Sequence, residues 1–251
     1  MKFIGLDGCR AGWFFVGFDD HGRWEAGTVS TIADLATAIK ASEEALIDIP
    51  IGLRESGTEE RLCDLAARKL LRKRRASVFP APCRPAIQCL TYEEASATNH
   101  THTGRKLSWQ SWGIVAKIKE VDDFLQDRAL KGKLREMHPE IGFWAFNANQ
   151  EMFHSKKKAE GVQQRLTVLR HYCQQTDDIV AYAMARYKRK DVGKDDILDA
   201  LIVAIAATFA NDLVSLPIVP ELDAQGLAME IVYPALERID YDNALHQTHQ
   251  A

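Results

Sequence analysis

The order of elements in residues 1–50 constrains this chain more than any other feature. Residues 2–6 (KFIGL) form a short apolar run closed by Asp7-Gly8. Residues 13–18 (WFFVGF) are aromatic and β-branched, which suits a strand. Asp19-Asp20-His21-Gly22 is turn chemistry, because glycine takes positive φ and aspartate bonds its own backbone. Residues 23–30 make the return strand, and two close turns in succession predict an antiparallel meander. Residues 31–42 then place Ile32, Leu35, Ala36 and Ile39 at helical spacing, capped by Ser30 or Thr31. Residues 44–49 (EALIDI) give a fourth strand, closed by Pro50. A strand, a helix and another strand need a crossover, so the fourth strand pairs in parallel. The predicted order is β-β-β-α-β.

In such a sheet the first and fourth strands lie side by side, and their carboxyl ends open into one crevice. Asp7 ends the first strand and Asp48 lies at the end of the fourth. Two carboxylates there repel each other unless a cation neutralises them. A hard divalent ion is the natural partner, and Mg²⁺ prefers few carboxylates plus water and phosphate. Farther along, Glu140 follows a fifth strand in His138-Pro139-Glu140, and Asp195, Asp196 and Asp199 open a long apolar helix. Asp196 and Asp199 share a face at i,i+3, and Asp199 lies deepest, between Leu198 and Ala200. Asp7, Asp48 and Asp199 are therefore candidate ligands for Mg²⁺ or Mn²⁺, and Glu140 and Asp196 are candidate catalytic helpers. Each has a plainer alternative: a turn for Asp7, the Pro-bounded turn for Glu140, a favourable helix-start charge for Asp195 and Asp196.

The remainder reads as mostly helical. Residues 58–74 predict a helix with Leu62, Leu65, Ala66, Lys69 and Leu70 as its inner stripe. Residues 75–90 are Pro-rich and irregular, 92–97 make a short helix, and 99–106 an exposed loop. Residues 109–126 are helical with Ile114, Ile118, Val121 and Leu125 on one side, and 133–138 form the fifth strand. Residues 162–172, 177–187 and 194–213 are helical, and 229–233 form a last strand after the turn at 223–226. No linker or repeat interrupts the chain, so one domain over 1–251 is expected, with a helical insertion around 75–130 and C-terminal helices plus a strand.

Lys plus Arg total 32 and Asp plus Glu 35, a formal net charge of −3. That excludes a polycation that coats nucleic acid by charge alone, but not a local basic patch. Arg68, Lys69, Arg72, Lys73, Arg74 and Arg75 exceed what a helix C-terminus needs and make a candidate phosphate-contact patch. Arg10 can touch a phosphate or pair with Asp7, and Lys117 can reach a phosphate or snorkel to solvent. His138 is a candidate general base or metal ligand, or a structural histidine. Lys156-Lys157-Lys158 and Lys188-Arg189-Lys190 read as solvated faces. No G-x-S-x-G, P-loop or G-x-G-x-x-G motif is present. The five cysteines lack a C-x-x-C pair and a preceding secretion signal, which predicts reduced thiols in a cytoplasmic protein and no zinc site. The longest apolar stretch, 200–210, is too short to cross a bilayer.

Several segments together resemble one family. They are residues 5–13 (GLDGCRAGW), 48–53 (DIPIGL), 61–64 (RLCD), 77–82 (SVFPAP), 138–140 (HPE) with Phe143-Trp144, 195–200 (DDILDA) and 226–234. In this order they resemble the DUF429 family over nearly the whole chain. The resemblance implies an α/β, RNase H-like mixed sheet, three antiparallel strands then parallel ones, with helices on both faces. It also implies a nuclease whose metal-binding set is Asp7, Asp48 and the aspartates of the last helix. RNase H-like enzymes usually add a glutamate on the helix after the third strand. Here Glu43 and Glu44 come late, and Glu140 is the substitute. The leading expectation is a divalent-metal-dependent hydrolase of phosphodiesters with nucleic acid as partner. The alternatives are a phosphotransferase or nucleotide hydrolase of the actin-like or sugar-kinase type, and a non-catalytic binding protein.

Overall fold

The computed structural model describes residues 1–236. The end of the expected domain, residues 237–251, lies outside the described residues. Strand β1 is Phe3–Cys9, β2 Gly12–Phe18 and β3 Trp24–Val29. A 3₁₀ turn at Ile32–Leu35 runs into helix α1, Ala36–Ala41, and β4 is Glu44–Asp48. Then come α2 (Leu62–Leu71), α3 (Tyr92–Thr103), α4 (Trp109–Phe124), β5 (Arg135–Glu136) and α5 (Pro139–Phe146). Helices α6 (Ala159–Tyr172), α7 (Thr176–Arg186) and α8 (Lys194–Ala207) follow, and β6 (Leu213–Leu222) and β7 (Ala228–Pro234) close the described chain.

The sheet order is β3-β2-β1-β4-β5, antiparallel through β3, β2 and β1 and parallel through β1, β4 and β5. This is the RNase H-like mixed arrangement. Side chains of a strand alternate between faces. Ile4 and Leu6 of β1 and Ala45 and Ile47 of β4 pack with α1 and α4 on one face. Leu46, with Phe14 and Val16 of β2, faces the other layer, where α8, α6 and α7 cover the sheet. Every residue of α8 from 197 to 207 is buried, so this helix is the centre of that layer. A separate two-stranded sheet of β6 and β7 packs against α2.

Four local expectations are corrected. Helix α2 starts at Leu62 and buries Cys63, Asp64, Ala67 and Leu71, while Leu62 and Leu65 of the expected inner stripe are 43% and 44% exposed. The inner face holds Asp64, paired with Arg61, in place of a leucine. Helix α3 continues to Thr103, so part of the expected 99–106 loop is helical. Asn99 is buried there and accepts a bond from the Cys83 N–H at 2.9 Å. The fifth strand shrinks to two residues, and α5 starts at Pro139 with His138 as its cap. The helix expected to reach Leu213 ends at Ala207, and β6 follows. Pro217 and Pro220 hide that strand in the sequence. It tolerates them because its pairing with β7 is interrupted between Leu216 and Glu221.

A half-buried carboxyl at the start of β4 gives a pH-dependent prediction. Glu44 lies 3.7 Å from Arg135, whose guanidinium already bonds Glu230 at 2.9 Å. Burial pushes the Glu44 carboxyl from 4.5 up to about 7 in spite of Arg135. An acid whose folded value exceeds its unfolded one binds its proton more tightly when folded. Stability therefore falls as pH rises from the unfolded to the folded value, and no further above it. Glu44→Gln should match wild type near pH 4 and exceed it near pH 8 by on the order of 2 kcal/mol. Paired melting curves at the two pH values check this. A variant that melts lower than wild type near pH 8 contradicts it.

Candidate metal centre

Strand parity brings the acidic residues together. Gly5 and Asp7 share one face of β1, and Leu46 and Asp48 share the same face of β4. Asp7 and Asp48 are register partners, so their carboxylates emerge side by side. The third residue comes from α8, which can approach only because position 5 is glycine. A Cβ there would stand 2.0 Å from the Ala204 nitrogen and 2.6 Å from the Ala200 carbonyl oxygen. With α8 seated so closely on β1, Asp199 reaches the strand ends. Asp7, Asp48 and Asp199 each offer an oxygen, and these oxygens lie within 4.8 Å of one another.

The surroundings are hostile to three anions. Burial, and then the charges of Asp48 and Asp199, hold the Asp7 carboxyl well above the ordinary range. Burial pushes Asp48 up to about 6, and it raises Asp199 as well. Lys156 supplies one compensating charge, its ammonium 2.5 Å from Asp199 Oδ2. One ammonium among three crowded carboxylates leaves a charge deficit, and all the donors are hard oxygens. The donor set fits a divalent cation of the Mg²⁺ or Mn²⁺ type.

Lys156 is held in place by the chain around it. Arg165 of α6 is buried, donates to the His154 carbonyl at 3.3 Å, and pairs with Glu140. Gly161, at the start of α6, lets the same loop lie flat, since a Cβ there would meet the Ser155 carbonyl oxygen at 1.9 Å. Lys156→Met should cost about 1–3 kcal/mol in chelator, because it leaves the buried Asp199 carboxylate without an ammonium that is itself partly exposed to solvent. Mn²⁺ should then raise the melting temperature of the variant by more than that of wild type. A variant that melts like wild type in chelator would show that Lys156 carries no such charge role.

A second buried network lies next to the centre. Arg61, 3% exposed at the entry to α2, donates to Asp64 at 2.5 Å, to Glu136 at 2.8 Å, and to the carbonyls of Ile51 and Gly52 at 3.0 and 3.3 Å. Glu136 also accepts from the Ile51 N–H at 2.8 Å. The segment after Asp48 is thus stapled to β5 and α2.

These groups border a cavity of about 910 Å³. Asp7, Asp48, Asp196, Asp199 and Glu140 line it, as do Arg10, Arg74, Lys117 and His138. Asp196 accepts from the Gly193 N–H at 2.7 Å, and burial pushes its carboxyl up to about 6. Burial alone would raise Glu140, but Arg74 and Arg165 outweigh it and hold the carboxyl below its ordinary value. Lys117 donates to the Gly12 carbonyl at 2.5 Å and lies 4.3 Å over the Trp13 ring. Both ring nitrogens of His138 are engaged: Nδ1 accepts from the Glu140 N–H at 3.2 Å, and Nε2 faces the Ser77 carbonyl at 3.2 Å. The basic cluster after α2 is split. Arg74 reaches the cavity and pairs with Glu140, Arg68 pairs with Glu60, and Arg72 and Arg75 are exposed outside it. Lys156, expected on a solvated face, is turned inward and lines the cavity, whereas Arg189 and Lys190 are exposed as expected and stand at its edge; Arg61, Asp64 and Glu136 also line it.

A mixed sheet of this order, with three carboxylates converging at the ends of its two central parallel strands, defines an RNase H-like protein with an acidic centre. A family model described as "Protein of unknown function (DUF429)" matches residues 5–222, and the chain belongs to that family. No curated protein and no solved structure matches it. Among the described residues, no helix is long and apolar enough to cross a membrane.

Proposed function

We propose that the protein is a divalent-metal-dependent phosphodiesterase acting on nucleic acid. The observation that carries this is the convergence of Asp7, Asp48 and Asp199, with oxygens within 4.8 Å, in a cavity whose walls also hold Arg10, Arg74, Lys117 and Lys156. Anionic ligands at the centre and cations around it suit a bound cation and a polyanionic substrate. Asp7, Asp48 and Asp199 would hold Mg²⁺ or Mn²⁺, which supplies Lewis-acid polarisation of a phosphoryl oxygen and acidification of water. Asp7 and Asp48, on paired strands, keep their ligand oxygens fixed before substrate arrives, and such preorganisation is what favours the transition state. Lys156, bonded to Asp199, offsets charge that builds at the phosphate. Arg10, Arg74 and Lys117 orient backbone phosphates. Asp196 and Glu140 line the same cavity, and Asp196 has one oxygen left to orient a proton-bearing group.

The test is release of product from labelled DNA and RNA oligonucleotides, with Mg²⁺ or Mn²⁺ and with chelator. Ion-dependent cleavage supports the proposal. ATP turnover without cleavage would favour the phosphotransferase class, and ion-independent binding without turnover a binding protein.

A further inference from the structure

Beside the acidic centre lies a second cavity of about 500 Å³, which shares Lys156, Arg189 and Asp195 with the first. Its composition differs sharply from that of its neighbour. Lys157, Arg189 and Lys194 are the other cations on its wall, against the single carboxylate of Asp195. None of these three makes an ion pair among the described residues, and Lys157 and Arg189 are exposed. Cations without protein partners at a cavity edge are available to an outside anion. The rest of the wall is apolar: Val162 of α6, Met184 and Tyr187 at the end of α7, and Val192 and Ile197 at the start of α8. The Tyr187 ring is braced edge-on against Phe14 of β2, at 5.9 Å between centroids, and Met184 is 54% exposed.

A braced aromatic ring and a soft thioether beside unpaired cations match the two halves of a nucleotide. The base takes the apolar wall and the phosphate takes the ammonium and guanidinium groups. The position matches as well, because Lys156 bonds Asp199 of the acidic centre and also lines the second cavity. We propose that this cavity is a nucleotide subsite. It holds one unpaired nucleotide of a strand, next to the phosphate placed at Asp7, Asp48 and Asp199. This rests on the phosphodiesterase proposal for the acidic centre. Apart from the Tyr187 hydroxyl, the apolar part of the wall offers no polar side chain to read a base edge. The subsite therefore accepts any base and requires a single-stranded segment.

The experiment is fluorescence anisotropy with short labelled single-stranded oligonucleotides, DNA and RNA, in low salt and chelator. It compares wild type with Lys157→Ala/Lys194→Ala and with Met184→Asp. Met184 and Lys157 are exposed, and melting curves verify that each variant is folded. Each variant should weaken binding by about tenfold, and the double lysine variant should also show a shallower salt dependence. Equal binding by all three proteins, or no binding by wild type, overturns the subsite. So does binding of AMP as tight as that of the oligonucleotide, which would make the cavity a mononucleotide site. The same preparations are assayed for ion-dependent cleavage. Cleavage by wild type with strand binding unchanged in the variants removes the subsite alone. Strand binding lost in the variants, with no cleavage by wild type, keeps the subsite and removes the phosphodiesterase.

Discussion

Asp7→Asn is expected to reduce ion-dependent phosphodiester cleavage by about a thousandfold or more, while the protein melts no lower than wild type in chelator. The two halves follow from one geometry. Asp7 ends β1 opposite Asp48, and its oxygen lies within 4.8 Å of those of Asp48 and Asp199. An amide of the same shape keeps the packing and replaces a carboxyl that burial and its acidic neighbours already push towards the neutral form, so the fold without ion loses no favourable charge. Any ion held there loses an anionic ligand. The melting temperature of the variant should therefore respond less to Mn²⁺ than that of wild type. Cleavage and melting are read on the same preparation. Unchanged cleavage would remove Asp7 from the centre, and a collapse of the fold in chelator would show that its role is structural.

The second large effect is on stability. Arg61→Met should cost about 3–5 kcal/mol, because Asp64 and Glu136 stay buried at 1% and 5% exposure without their cation. For a domain of this size that lowers the melting temperature by roughly 10 °C. Arg61→Lys should recover little, since one ammonium cannot serve two carboxylates and the carbonyls of Ile51 and Gly52 together. Replacing Arg61, Asp64 and Glu136 together by Met, Leu and Leu should recover most of the loss, because no buried charge is then left unpaired. Thermal melts of the three variants check this. A single Arg61→Met variant that melts within a degree or two of wild type would contradict it.

The sheet and two of the three acidic residues were legible because they depend on local pattern. Turn residues between β1, β2 and β3 gave the meander, the α1 spacing gave the crossover, and the crossover set Asp48 beside Asp7. Asp199 was legible as a charge inside an apolar helix, although its distance to β1 depends on Gly5, which carries no such signal. Lys156 was not legible. Three consecutive lysines look solvated, and only the docking of their loop by Arg165 and Gly161 turns one of them inward. Arg61 and Asp64 do carry a signal, a cation and an anion at i,i+3 in one helix start, but Leu62 and Leu65, which prove exposed, form the stronger apolar spacing in the sequence. Arg68, Arg72 and Arg75 look like one patch with Arg74 in the sequence. The chain leaves the α-helix after Leu71, and the 3₁₀ turns of residues 72–77 send Arg74 alone to the cavity.

Binding of a divalent cation between Asp7, Asp48 and Asp199 underlies every functional step proposed above. An anomalous difference map from a crystal soaked in Mn²⁺ tests it most directly. A peak bounded by oxygens of these three residues is expected. A map with no peak there at saturating Mn²⁺, and with the Lys156 ammonium still seated on Asp199, would contradict it.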